Sequence, residues 1–429
     1  MKRIYIILPL LLALLTFNAG YAADDSGEKE NLDVKEVIFH HLGDGYGWEV
    51  PFSHIYRIPL PVIVRAEDGN WFCFSSGKLT EVTVTEDEAT GEKHEELEPV
   101  IHDVERDGKT YRFYIAHVSE HKNKVVEVFP LTPAENAEVH AEAVKIHAEK
   151  GGDAAHVAVP GYVMIGHDYY REYRPLDISI TKNVLALFIA SILVTWMVMG
   201  LVRYYRRKDG LKAPRKGMGF FEMLIDFIYT GVIKSSLGEK APKFAPYLLT
   251  CFFFILTMNL LGLIVIFPGG ANLTGNIAIT LVLAVLTFVV TNVLGTKHYW
   301  KEIFWPDVPM FLKCPLPIMQ VIEIFGIFTK PAALCVRLFA NMMGGHMIVL
   351  TLTLLIFIFA AFGAAALGAS VVVSVLFTIF MLLLDVLVSF IQAYVFTLLS
   401  ALFISASQES GHHVKNGKED VVADEVVEA

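Results

Sequence analysis

Cysteine is nearly absent, with four in 429 residues. Cys73 stands alone between residues 23 and 182, which excludes a disulfide inside that stretch. Cys251, Cys314 and Cys335 lie in or beside apolar runs, where a thiol packs as a small hydrophobe. Charge is scarce too. Asp, Glu, Lys and Arg make up 19% of the chain against 54% hydrophobic residues, and the mean hydropathy is +0.50. Soluble globular chains rarely show that balance; integral membrane proteins do. No G-x-x-x-x-G-K-[ST] loop occurs, so no nucleotide cradle is expected.

The scarce charge is unevenly spread. From Asp24 to Lys182, 31 acids face 16 Lys and Arg, whereas the rest of the chain holds 14 acids and 19 bases. An acidic, soluble-type region therefore precedes a mildly basic, very apolar one. The opening MKRIYIILPLLLALLTFNAGYAADD sets Lys2 and Arg3 before an apolar run that ends near Leu15, followed by Gly20, Tyr21 and Ala22. That is the plan of a signal peptide, 1–22, and the run is too brief to span about 30 Å of hydrocarbon. The acidic region, 23–182, is then expected to be exported.

Within 36–176, IYRIPLPVIV, KTYRFYIAHV and HVAVPGYVMI read as strands and AENAEVHAEAVKIHAEK as a helix. Turns are expected at Glu67-Asp68-Gly69 and at Asp107-Gly108. The region reads as a small α+β domain. His117, His121, His140, His147 and His156 raise the question of a metal. His140 and His147 are seven apart on one helical face, but no ligand set is defined, so a solvated face is the expectation and no metal is assigned.

Beyond it the apolar spans begin. The first, 184–202, runs into Arg203, Arg206, Arg207, Lys208, Lys212, Arg215 and Lys216, a cluster expected to stay cytoplasmic. FFEMLIDFIYTGVI, 220–233, is too short and too acidic to cross and suits an interfacial helix. Spans at 247–267 and 277–294 flank PGGANLTG, which lacks Lys and Arg, and the second returns to Lys297, Lys301 and Lys313. From 318 to 362 only Pro331 and Gly344-Gly345 could interrupt a helix about 65 Å long at 1.5 Å per residue. Such a helix must tilt steeply or break at the glycines. GAAALGAS, 363–370, is expected to turn, and a last apolar stretch covers 370–404.

Polar residues in this apolar quarter share faces. Glu323, Lys330 and Arg337 are spaced by seven, with Asn341 one turn further, while His346 falls on the opposite side. On the last helix Asp385, Ser389 and Gln392 form a second stripe. A charge at bilayer depth costs at least about 2.5–3.5 kcal/mol, so these residues read as an ion route. Lys330, beside Pro331, fits a snorkelling side chain equally well. Ser389 fits helix-packing glue, and Gln392 an interhelical hydrogen bond. Arg337 is different. No acid within two turns neutralises it, so its partner must come from another helix or another subunit.

KPAALCVRLFANMMGGH, 330–346, and FIQAYVFTLLSALFISAS, 390–407, resemble subunit a of the F-type ATP synthase, over about 183–408, with HHL at 40–42 similar to the family's N-terminal segment. The exported stretch, roughly 43–176, reads as an insertion. The resemblance implies an all-α polytopic membrane protein with about five transmembrane helices and an interfacial helix, the last two forming a long tilted hairpin, behind a small exported α+β domain. The membrane domain would cover 183–408 and a charged cytoplasmic tail 409–429, in a bacterial inner membrane. Arg337 matches the family's essential arginine facing the ring of c subunits, and Asn341 the asparagine one turn beyond. Glu323 matches an acid of the cytoplasmic half-channel, and Gln392 the glutamine facing the arginine. His346 and Asp385 stand where many bacterial members have an acid and a histidine, an exchange of types that keeps one imidazole and one carboxylate in the outer half-channel. Lys330 and Ser389 would support the pathway.

The family's role would make this a non-catalytic stator subunit that couples proton flow to rotary ATP synthesis. Its expected partners are the c ring, b-type peripheral stalk subunits, other ATP synthase subunits and lipid, with no cofactor and no nucleic acid. Two other readings differ in kind. An ion-coupled secondary transporter would show two related halves with broken helices, and no repeat is evident. A membrane anchor for the exported domain would leave Arg337 without a reason to be buried.

Overall fold

The computed structural model of the chain describes residues 43–49, 57–86, 93–150, 158–207, 217–264, 273–304, 318–360 and 364–408. The leader 1–22, HHL at 40–42, His156, Lys208, Lys212, Arg215, Lys216, Lys313 and the tail 409–429 lie outside the described residues. Contacts divide the chain at Phe188 into a β-rich unit and a helical unit.

Period-two alternation builds the β-rich unit. In β4 (Trp71–Ser75) Phe72 and Phe74 point inward while Trp71, Cys73 and Ser75 point out. Paired antiparallel with β3 (Pro61–Arg65), it supplies a core of Val62, Val64, Phe72, Phe74, Leu79 and Phe113. β12 (Leu176–Asp177) completes this three-stranded sheet on the other edge of β3. A five-stranded antiparallel sheet runs β10 (Tyr162–Ile165), β11 (Asp168–Tyr173), β9 (Val125–Pro130), β8 (Lys109–Ile115) and β7 (His102–Arg106). Two hairpin-like pairs, β1 (Gly47–Glu49) with β2 (Arg57–Pro59) and β5 (Thr80–Glu86) with β6 (Lys93–Pro99), accompany them. The expected turn at Asp107-Gly108 is present with both residues at positive φ, 51° and 73°, the geometry that joins two twisted strands tightly.

Tyr46 ties the ends of this unit together. Its hydroxyl donates to the Asp177 carboxylate and accepts from the Val125 amide at 3.2 Å. Burial, with the Asp177 hydrogen bond next, pushes the Tyr46 phenol well above its ordinary value.

The expected helix is present as α1 (Pro133–Lys150) and packs on β11. His140 on this mostly exposed helix is half-buried, and it and His121 make contacts with other elements. His140 Nε2 lies 3.0 Å from the His167 carbonyl and its ring meets Tyr169 edge-on at 4.8 Å. His121 Nδ1 pairs with Glu172 Oε1 at 3.0 Å, a carboxylate whose side chain is 1% exposed. These contacts come from strands distant in sequence, which helical spacing cannot reveal. Among the described residues no group of three or more His, Cys, Asp or Glu is disposed to hold a metal ion.

The helical unit starts along α2 (Lys182–Arg207), and α3 (Gly217–Ile228) continues through a π-turn at Tyr229–Lys234. Gly238, at φ +54° and ψ −124°, then redirects the chain into α4 (Ala241–Leu263). α5 (Ile277–Val293) is opened by Asn276, whose side chain accepts from the Ala278 amide at 3.0 Å. α5 is rich in β-branched residues yet helical, as an apolar segment must be where no water satisfies its backbone. Short α6 (Lys297–Phe304) precedes α7 (Ile318–Ala360) and α8 (Ala364–Gln408), which pack along each other and against α4 and α5. Among the described residues three helices are long and apolar enough to cross a membrane, and α5 is a shorter apolar one.

Two expectations about this pair resolve. α7 passes Pro331 and Gly344-Gly345 without a break. Residue 363 lies outside the described residues, and the turn expected over 363–370 is not found at 364–370, which are helical. Its alanines favour helix more than its glycines oppose it.

Candidate functional site

α7 and α8 bring most of the polar residues to one place. Asn341 and His346 from α7 and Asp385, Ser389 and Gln392 from α8 line a small cavity of about 10 Å3, together with Leu338, Met342 and Val388. Five of the expected site residues therefore share one wall-to-wall space. Ser389 is 3% exposed; the other four are half-buried.

A ninth lining residue was missed in the sequence. Asn259 on α4 is 2% exposed, accepts from the Thr274 hydroxyl at 2.8 Å, and points its Nδ2 to the Ser389 carbonyl at 3.4 Å. The signal was legible: an amide inside FFFILTMNLLGLIV needs an interhelical partner or a function.

His346 is held at both ring nitrogens. Nδ1 lies 3.2 Å from the Met342 carbonyl, one turn back, and Nε2 3.3 Å from the Gly262 carbonyl on α4. A neutral imidazole donates to only one of two carbonyls, whereas an imidazolium donates to both.

Asp385 is seated by the absence of a side chain. A Cβ on Gly345 would fall 2.7 Å from Asp385 Oδ1 and 3.2 Å from its Cγ. Gly345 therefore serves neither as a break nor as a turn; it lets the carboxylate lie against the backbone of α7.

Glu323 and Lys330 are not in this cavity. Lys330 lines a second one, of about 20 Å3, with Pro331 and Leu334 of α7, Thr291 and Asn292 of α5, and Tyr299 of α6 among its walls. The Lys330 ammonium sits 5.7 Å over the Phe403 ring of α8. Thr291 Oγ1 is buried there without a hydrogen-bond partner, and the Tyr299 hydroxyl donates to Asn292 Oδ1 at 3.2 Å. The two cavities share no lining residue: one ends at Leu334, the other begins at Leu338.

Arg337 lies between them and lines neither. It is exposed at the surface of this chain, beside Val336, which is 55% exposed. Among the described residues no acid is within ion-pair distance of its guanidinium, and no hydrogen bond joins it to Gln392. A guanidinium bounded by apolar side chains and lacking an acid needs one from elsewhere.

Comparison with known proteins places both regions. The family described as ATP synthase A chain matches residues 184–405, and a domain of unknown function (DUF8433) matches 37–147. A Chlorobaculum tepidum protein called ATP synthase subunit a 2 is 39% identical over 303 residues, covering 68% of this chain and 84% of the relative. The protein of the same description from Prosthecochloris aestuarii is 40% identical over 306 residues, with 68% and 90% covered. ATP synthase subunit a of Myxococcus xanthus is 40% identical over 246 residues, with 56% and 76% covered. The first two alignments are longer than the stretch 184–405, so likeness continues outside it. The enlarged N-terminal region thus has a family match of its own over 37–147, and its five-stranded sheet continues past residue 147 to β11.

Proposed function

Since the chain belongs to the ATP synthase subunit a family, we propose that it is the stator subunit whose two half-channels and exposed arginine couple proton flow to rotation of a ring of c subunits. As a family member it is a non-catalytic subunit of the F0 sector, a multi-pass bacterial membrane protein that takes part in proton transport for ATP synthesis. The finer reading has α2, α4, α5, α7 and α8 crossing the bilayer, α3 at the interface, and α7 with α8 as a steeply tilted hairpin. Region 23–182 lies outside the cell membrane after removal of 1–22, and the tail 409–429 lies in the cytoplasm. The c ring and b-type stalk subunits are the partners.

The observation that carries this is the pair of unconnected cavities on either side of an exposed Arg337. A single continuous wire would dissipate the gradient without turning anything; two offset access paths, each ending at a ring carboxylate, do not. Protons from outside reach the ring through the cavity of Asp385, His346, Asn341, Ser389, Gln392 and Asn259. Imidazole and carboxylate, titrating in water near ~6.5 and ~3.9, provide successive acceptors. The neutralised ring carboxylate then crosses lipid without an ion's desolvation cost. On the other side the cavity at Lys330, with Glu323 on the same stripe, leads protons to the cytoplasm. Each charge crossing 100 mV supplies about 2.3 kcal/mol, so several must pass for each ATP.

Reconstitution separates this reading from a transporter. In proteoliposomes the chain alone should leave an imposed pH gradient standing, and proton flow should appear when the ring is added. Solute uptake by the chain alone would contradict it.

Orientation has its own test. Cys73 faces outward from β4, whereas Cys251 and Cys335 are buried. A membrane-impermeant maleimide should label Cys73 in intact spheroplasts, with Cys73→Ser as control. Labelling confined to inverted vesicles would place the β-rich region in the cytoplasm.

A further inference from the structure

The cavity at Lys330 contains a hydroxyl to which the pathway reading gives no task. Thr291 of α5 is 8% exposed, and its Oγ1 has no hydrogen-bond partner. Other threonines of the apolar helices behave differently. Thr250, Thr287 and Thr397 each donate to the carbonyl one turn back, at 2.7, 3.3 and 2.9 Å. A buried hydroxyl without a partner is costly, so this one calls for an explanation. The cavity it lines measures about 20 Å3, room for about one water molecule. A water held there needs roughly two to four polar partners.

Tyr299 of α6 supplies a second. Its hydroxyl donates to Asn292 Oδ1 at 3.2 Å, which leaves a lone pair on the oxygen to accept with. The Lys330 ammonium belongs to the same wall. The Tyr299 ring is seated by Gly295: a Cβ there would fall 2.9 Å from its Cδ1 and 3.2 Å from the carbonyl oxygens of Thr291 and Asn292. Neighbouring contacts fix α6 in place. The Trp300 indole donates to the Asn292 carbonyl at 3.3 Å, and the Thr296 amide to the Ser407 carbonyl of α8 at 3.0 Å. Burial, with the Glu323 carboxylate next, pushes the Tyr299 phenol up, so it stays a neutral hydroxyl. Tyr299 thus both lines the cavity and lies within the field of Glu323.

We propose that Thr291 Oγ1 and the Tyr299 oxygen hold one ordered water in this cavity, and that this water carries protons along the inner path toward Glu323. A proton taken up on the water oxygen from the ring side leaves as another of its hydrogens on the Glu323 side. One proton moves, and the water remains. Thr291 and Tyr299 are positioning residues, which fix the water and are not themselves ionised. The inference deepens the pathway reading and rests on it.

Two readouts on the assembled complex test it. In a high-resolution structure, solvent density should lie within about 3.2 Å of Thr291 Oγ1. An apolar group there, or no density, overturns the site whatever the complex conducts. Passive proton conduction through the F0 sector in proteoliposomes reads the role, with the amount of assembled complex measured for each variant. Thr291→Val nearly keeps the shape and removes the hydroxyl, so conduction should fall about tenfold, the scale of one lost hydrogen bond. Thr291→Ser, which returns the hydroxyl, should recover most of it. Tyr299→Phe should fall as Thr291→Val does. A hydroxyl without a task would make Thr291→Val assemble and conduct at least as well as the native complex, and that result overturns the proposal. Serine no better than valine would make the loss one of packing and overturn it too. Native conduction kept in Thr291→Val rejects this inference alone, whereas a native complex that conducts no protons rejects the pathway reading with it.

Discussion

Arg337→Ala is expected to abolish ATP synthesis driven by an imposed gradient in membrane vesicles, while the complex still assembles. A cation about 4 Å from a carboxylate contributes ~4 kcal/mol at an effective dielectric of 20. That shifts the ionisation equilibrium of an arriving ring carboxylate by roughly 10^3 toward the charged form. Without it the carboxylate keeps its proton past the boundary between the two cavities, and protons cross without productive rotation. Arg337→Lys should fail nearly as badly. A dehydrated ammonium gives up its proton, whereas a guanidinium with a pKa above about 12 does not. Arg337 is exposed on the surface of the chain, so neither change opens a hole in its own core, and assembly should be kept. Normal coupling in Arg337→Ala would reject the assignment.

The second large effect is expected at the outer cavity. His346→Ala with Asp385→Ala removes both titratable groups lining it. Proton conduction through the assembled F0 sector should then fall by a factor of about 10^2 or more, since positioned acid–base groups contribute about that much to proton transfer. Asp385→Asn alone keeps the shape and loses the charge, so it should reproduce most of the loss. Gly345→Val offers an independent check. A side chain there would meet the Asp385 carboxylate at 2.7 Å and displace it without altering either titratable group. Conduction should drop although His346 and Asp385 are both intact. Unchanged conduction in the double alanine variant would remove both residues from the route.

The membrane half was legible because lipid leaves few choices. Long apolar runs must be helices, and period-3.6 spacing put Asp385, Ser389 and Gln392 on one face before any contact was known. Spacing put Asn341 on the stripe of Arg337 and His346 opposite, whereas Asn341 and His346 line one cavity and Arg337 is exposed outside it. What spacing could not give was depth. Asn259 belongs to a third helix, and its place beside Ser389 depends on how α4 packs on α8. Gly345 looked like a hinge because glycine weakens a helix, yet its role is set by a carboxylate 40 residues later in the chain. In the β-rich region the strands and turns were visible as alternation and turn residues. The pairing of His121 with Glu172 and of Tyr46 with Asp177 was not, because those partners are 51 and 131 residues apart.

One measurement bears most directly on the rotary reading: the position of the Arg337 guanidinium in a structure of the assembled complex. It should lie within about 4 Å of a carboxylate on a ring helix, with the two cavities opening to opposite sides of the bilayer. A guanidinium paired with an acid of its own polypeptide, or turned out among the headgroups, would contradict it.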